Sequence, residues 1–138
     1  MKIVLDTNVL VSGMLNPHGA PGRIVDLLRS GTLTLVVDDR ILAEYREVLE
    51  RKRFERYFSR STRQDVVEFL RGESHCIACS VVLETLPDRG DTPFLETALT
   101  EEVPLITGNT KQCPPKLRRG CVVLSPGEFL RRHFQKSS

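Results

Sequence analysis

KIVLDTNVLVSG, residues 2–13, is the stretch on which the reading of this chain turns. Lys2 to Leu5 have the apolar run of a short strand buried on both faces. Asp6 ends that run, followed at once by Thr7 and Asn8. An ionised carboxylate at the end of a buried strand is costly unless it is paired or hydrogen-bonded. Asp6 therefore either caps the helix that follows or points into a crevice where its charge serves a ligand.

The remaining strand ends bear on that choice. Apolar runs recur at Leu33–Val37, Ser80–Leu83, Pro104–Thr107 and Cys121–Leu124. Between them lie helical patterns around Arg23–Arg29, Arg40–Lys52, Thr62–Glu73 and Phe94–Glu102. Ser125-Pro126-Gly127-Glu128 has the form of a capping box with proline at the first helical position, so a last helix is expected there. Strands alternating with helices predict a parallel sheet of four to five strands with helices on both faces, an α/β three-layer sandwich. In such sheets ligands bind beyond the carboxyl ends of the strands. The residues after the strands are polar and mostly acidic: Asp6, Thr7 and Asn8; Asp38 and Asp39; Glu84, Asp88 and Asp91; Thr107, Gly108 and Asn109. Capping alone would have to explain each group separately.

Periodicity adds Glu44. On a helix from Arg40, residues Ile41, Leu42, Tyr45, Val48 and Leu49 share one arc. Glu47 and Glu50 point away from it, whereas Glu44 stands about 40° outside its edge and can lean over the sheet. Asp91 precedes Thr92-Pro93, the start of a helix, which directs its carboxylate toward the same edge. Two unit charges ~4 Å apart repel by about 4 kcal/mol at an effective dielectric of 20, so Asp6, Glu44 and Asp91 could converge only with a counterion or a proton. Oxygen donors without histidine or cysteine select a hard cation, Mg²⁺ or Mn²⁺. One or two such ions can activate water and stabilise the leaving oxygen of a phosphodiester.

Composition sets the bounds. A chain of 138 residues, 40% hydrophobic and 28% charged, fits a single globular domain over residues 1–138. No apolar run reaches the length of a membrane span and no secretory leader is visible, so the expected compartment is the cytoplasm. Cys76, Cys79, Cys113 and Cys121 are then expected as reduced thiols. Cys76 and Cys79 have the spacing of a metal or redox pair, but no second pair of ligands accompanies them. Residues 40–63 carry eight basic and four acidic side chains, residues 64–102 two and nine, and residues 103–138 seven and one. Basic segments flanking an acidic one suit a polyanion drawn to a metal-loaded site.

The blocks IVLDTNVLVSG (3–13), LAEYREVL (42–49), LPDRGDTPFLETAL (86–99) and PLITGNTK (104–111) resemble, in order and spacing, the successive motifs of the PIN domain. VVLSPGEFL (122–130) resembles its closing strand and helix. The resemblance implies a small Mg²⁺- or Mn²⁺-dependent ribonuclease, similar to PIN toxins of toxin–antitoxin pairs, commonly a homodimer and held inactive by an antitoxin protein. It matches Asp6, Glu44 and Asp91 to the metal ligands, with Thr7, Asn8, Asp88 and Thr107 in support. Asn109 stands where many members have a fourth aspartate, and keeps an oxygen but no charge.

The expected reaction is hydrolysis of single-stranded RNA, with Arg51, Lys52, Arg53, Lys111, Lys116, Arg118 and Arg119 holding backbone phosphates. The low aromatic content, 6%, argues against an extensive base-stacking platform. Phe54, Tyr57 and Phe58, apolar amid basic residues, either close the core or form the dimer contact. The alternatives are a PIN-like module that binds nucleic acid or a partner without cutting, and an aspartyl-phosphate enzyme. Haloacid-dehalogenase-like phosphatases need a second aspartate where this chain has Asn8.

Overall fold

The computed structural model describes residues 1–83 and 91–134. Asp88 and Glu84 lie outside the described residues. Within them the order is β1 (Lys2–Leu5), α1 (Thr7–Leu15), α2 (Ala20–Arg29), β2 (Thr34–Val37), α3 (Asp39–Leu49), α4 (Arg60–Glu73), β3 (His75–Cys76), α5 (Thr92–Glu101), β4 (Leu105–Ile106), β5 (Val123–Leu124) and α6 (Pro126–His133). No helix among the described residues is long and apolar enough to cross a membrane.

The strands form one five-stranded sheet in the order β3-β2-β1-β4-β5, and every pairing is parallel. Lys2 pairs with Thr34, Val4 with Leu105, Val36 with His75 and Leu105 with Val123. The chain therefore steps outward from β1 to β3, then returns across β1 to β4. Right-handed crossovers require that reversal to send the connecting helices to opposite faces. The three-layer sandwich expected from the strand–helix alternation is the observed architecture. Covered on both faces, β1 and β2 are apolar without alternation: Ile3, Val4, Leu5, Val36 and Val37 are all fully buried.

The third strand falls elsewhere than its apolar pattern predicted. Val36 and Val37 pair with His75 and Cys76, not with Ser80–Leu83. The later segment finds other partners for its backbone. Ser80 and Val81 donate their N–H groups to the Thr100 hydroxyl (3.2 and 3.4 Å), and Leu83 donates to Glu96 Oε2 at 2.8 Å. Side chains of α5 replace the strand ladder, so Val82 is free to be 82% exposed. At the other end of the chain, both halves of the Ser125–Glu128 capping box form (3.2 and 3.3 Å), and Pro126 opens α6.

A second apolar cluster sits beside the main core, where Val11 of α1 meets Val48, Leu49, Phe54 and Phe58. Phe54 and Phe58 are buried, so two of the three aromatics considered for a dimer contact belong to the core. Tyr57 between them is 59% exposed.

Helix α2 packs closely on α1 at Gly13 and on the connection between the two helices at Gly22. A Cβ on Gly22 would meet the Pro17 carbonyl carbon and oxygen at 2.4 Å, and one on Gly13 would meet Val25 and the Pro21 carbonyl at 2.5 and 2.6 Å. Backbone cannot give way as a flexible side chain can. Gly22→Ala should therefore destabilise the fold by about 1–3 kcal/mol through overpacking, despite alanine's better helix propensity. Urea denaturation checks this, with the midpoint falling at an unchanged slope.

Candidate active site at the sheet's switch point

Strand order reverses between β1 and β4, and the carboxyl ends of those strands hold Asp6 and Thr107. Such a switch point is where α/β sheets open a crevice. The Asp6 backbone N–H bonds the Ile106 carbonyl at 2.9 Å, which fixes the first strand's end against the fourth. Across the gap, the Thr107 hydroxyl donates to Asp6 Oδ2 at 3.0 Å and accepts from the Asn109 backbone N–H at 3.2 Å. Asp6 and Thr107 are buried, at 8% and 6% exposure.

Asp6 occupies the N-cap position of α1 and Asp91 that of α5, yet neither side chain makes a cap hydrogen bond. Asp38 at the start of α3 behaves otherwise, with Oδ1 accepting from the Ile41 N–H at 3.0 Å. Capping accounts for Asp38 and fails for Asp6 and Asp91. Both of these line one tight crevice instead, together with Phe94, Leu105, Thr107, Asn109 and Cys113.

Glu44 reaches the site from α3, half-buried, while Glu47 and Glu50 are exposed. The Thr7 hydroxyl, buried at the first position of α1, donates to Glu44 Oε2. Burial raises the pKa of Glu44 above the ordinary carboxylate value; the Thr7 hydrogen bond opposes the rise, and the charge of Asp6 adds to it. Beneath them the Tyr45 hydroxyl donates to the Leu5 carbonyl at 2.6 Å. Burial, then the charges of Asp6 and Glu44, push the Tyr45 pKa well up, so it stays a neutral donor. Asn8 is exposed beside this cluster.

The donors are carboxylate, hydroxyl and amide oxygens, a set that suits a hard divalent cation. Among the described residues, no three His, Cys, Asp or Glu side chains form a group able to hold an ion by themselves. The crevice brings Asp6, Asp91, Thr107 and Asn109 together, and Glu44 stands beside them through Thr7. A Mg²⁺ ion, which usually keeps several waters and takes one or two protein carboxylates, fits such a partial set.

One feature of the same sheet edge was invisible in the sequence pattern. Arg40 bonds Asp38 Oδ2 (2.8 Å from Nε) and Glu96 Oε1 (2.7 Å from a terminal nitrogen), and Glu96 is only 4% exposed. Burial opposes the guanidinium charge, but hydrogen bonds to Glu96 and Asp38 more than offset it, so its pKa rises above its ordinary value. The Cys79 thiol joins this knot, 3.1 Å from the Thr97 hydroxyl and 3.4 Å from Asp38 Oδ2. A lone arginine two residues after an aspartate carries no pattern that would announce it, because Glu96 is 56 residues away.

The basic residues expected to hold phosphates divide. Arg51, Lys52, Arg53, Lys111 and Lys116 are exposed, with Arg51 3.3 Å from Glu47. Arg118 is instead turned onto the backbone, bonding the Cys113 carbonyl at 2.7 Å and the Thr110 carbonyl at 3.4 Å. Arg119 lies with Met1, Pro104 and Val122, beside the amino ends of the strands and away from Asp6. These two arginines do not face the crevice, because the turn that places them carries the chain back to start β5.

The PIN domain family model matches residues 2–111. A protein of Methanocaldococcus jannaschii, the uncharacterised MJ1680, is 26% identical over 110 residues, covering 79% of this chain and 71% of its own length. Among solved structures, VapBC2 from Rickettsia felis, bound to a DNA fragment from its promoter, superposes with a TM-score of 0.58 at 17% identity. That match covers 91% of this chain and 98% of the other, and it shows a shared fold. The chain belongs to the PIN domain family.

Proposed function

We propose that this PIN domain is a divalent-metal-dependent endoribonuclease that hydrolyses phosphodiester bonds of single-stranded RNA, acting in the cytoplasm as the toxin of a toxin–antitoxin pair. PIN domains are generally nucleases, which supports the class of reaction. One observation carries the reading furthest: Asp6 and Asp91 both sit at helix starts, neither caps its helix, and both line one crevice at the switch point. The likeness in fold to VapBC2 supports the toxin–antitoxin context and a protein antitoxin as partner. A homodimer belongs to the same proposal.

In this reading Asp6, Asp91 and Glu44 are the residues that would hold the cation. A Mg²⁺ or Mn²⁺ ion, when bound, supplies positive charge against the phosphate and lowers the pKa of water. The chain's own residues do the rest. Thr107 fixes Oδ2 of Asp6. Thr7 orients Glu44, and Asn109 offers an uncharged amide toward the substrate. Arg51, Lys52, Arg53, Lys111 and Lys116 attract the phosphate backbone.

Asp6→Asn should abolish Mn²⁺-dependent cleavage of labelled RNA with the circular dichroism spectrum unchanged. Glu44→Gln should lose at least about tenfold in rate, and outward-facing Glu47→Gln should stay near wild type. Equal cleavage by Asp6→Asn, with contaminating nuclease excluded, would remove the proposed site.

Glu44 also has a metal-free signature. Its folded-state pKa is raised, so its ionised form destabilises the fold above that pKa, and the cost disappears once the pH falls below the unfolded value. Glu44→Gln should raise the melting temperature of the metal-free protein at pH 7, and the gain should vanish at acidic pH.

Asn109→Asp adds a charge beside Asp6 and Asp91. Calorimetric titration should show Mn²⁺ binding tighter by up to about fivefold, since an exposed charge pair is worth up to about 1 kcal/mol. Unchanged affinity would place Asn109 outside the cation's reach.

A further inference from the structure

We infer that the turn after α3 holds a single unpaired base of the RNA on Tyr57, between cations that take the flanking phosphates. The inference deepens the ribonuclease reading by naming where the strand is held. Tyr57 is the most exposed phenylalanine or tyrosine among the described residues, at 59%. Lys52, Arg53 and Arg56 line a shallow concavity with it, and Glu55 is the one carboxylate there. The Arg56 guanidinium lies 5.9 Å from the Tyr57 ring centroid, and Arg53 covers the Phe54 ring at 4.8 Å.

An exposed tyrosine by itself means little. The backbone of this one is anchored on both sides: Phe54 and Phe58, three residues before it and one after, are buried against Val11 and Val48. Its backbone N–H bonds the Phe54 carbonyl at 3.0 Å. An exposed ring on an anchored backbone, flanked by arginine and lysine, is the combination that binds single strands, because every base has a π-face and every linkage a charge.

The turn also connects to the crevice. Val11 lies on the helix that begins after Asp6, and α3 runs about 8 Å from Glu44 to its end at Leu49. Arg51 stands just past the end of α3, 3.3 Å from Glu47 one turn back along that helix. A strand leaving the crevice along α3 thus meets Arg51 first and the Tyr57 turn next.

Fluorescence anisotropy with a labelled single-stranded RNA oligomer in EDTA tests this without cleavage. Tyr57→Ala should weaken binding roughly five- to hundredfold, and Tyr57→Phe should stay within about twofold of wild type. An abasic oligomer of equal charge should bind wild type and Tyr57→Ala alike, and Arg56→Ala should reduce the salt slope by about one. Wild-type affinity in Tyr57→Ala would overturn the inference, as would an equal loss on the abasic oligomer or absence of RNA binding by the wild type. Should Tyr57→Ala fail to fold, wild-type protein that binds the abasic and normal oligomers equally would overturn it too. Tighter, Tyr57-dependent binding of a polyglutamate peptide would assign the turn to an acidic protein segment and overturn the nucleic-acid assignment. Mn²⁺-dependent cleavage by the wild type, measured alongside, separates the two ideas: cleavage with Tyr57-independent binding leaves the ribonuclease standing and removes only this turn.

Discussion

A buried carboxylate at the end of the central strand sets the terms for everything around it. Asp6 is 8% exposed at the point where strand order reverses, and an ionised group there must be satisfied within the protein. The hydroxyl of Thr107, the residue following β4, supplies that bond and in turn accepts the Asn109 N–H. One hydrogen bond across the switch point thereby fixes the carboxylate, the fourth strand's exit and the start of the Asn109 loop. Tyr45 secures the neighbouring Leu5 carbonyl from below. The geometry of the crevice follows from meeting these demands together.

A second constraint holds the site's outer members. Arg40 lies one helical turn before Glu44, and Glu96 five residues after Asp91. Their ion pair ties the start of α3 to α5, so one guanidinium bears on the placement of both acids. Removing it would leave Asp38 and Glu96 buried without their shared cation, the situation in which broken ion pairs are most destabilising. Glu96 also accepts the Leu83 N–H, so the segment that ends at Leu83 hangs from the same carboxylate. A charged knot at the start of α3 thus positions groups proposed to carry the chemistry.

Net charge of +2 conceals how the basic residues are used. Arg40 and Arg118 are spent on the protein's own carboxylates and carbonyls. Residues 51–57, by contrast, are exposed except for Phe54 and keep most of their charge for a partner. Position in the fold, not abundance in the sequence, separates structural cations from those that can meet a polyanion.

The sequence by itself determined β1, β2, β4 and β5, most of the helix pattern and the order of the polar strand ends, because these depend on local periodicity and neighbouring residues. Ile41, Tyr45, Val48 and Leu49 mark the buried face of α3, and that rotation leaves Glu44 leaning inward and Glu47 outward. The Ser125–Glu128 cap was equally legible, being a bond between residues three apart. Only the tertiary structure decided that β3 forms at His75–Cys76, since α5 offers Thr100 and Glu96 to the more apolar candidate at Ser80–Leu83. It also decided that Asp38 caps its helix while Asp6 and Asp91 do not. Asp6 and Asp38 share an extended backbone at the helix start, so what separates these two is a partner brought from a distant part of the chain; Asp91 has a helical backbone of its own. Arg40 reaches Glu96 across 56 residues and Thr107 reaches Asp6 across 101. Hydrogen bonds and ion pairs of that span depend on how strands are ordered in the sheet, and no local pattern of residue types encodes that order.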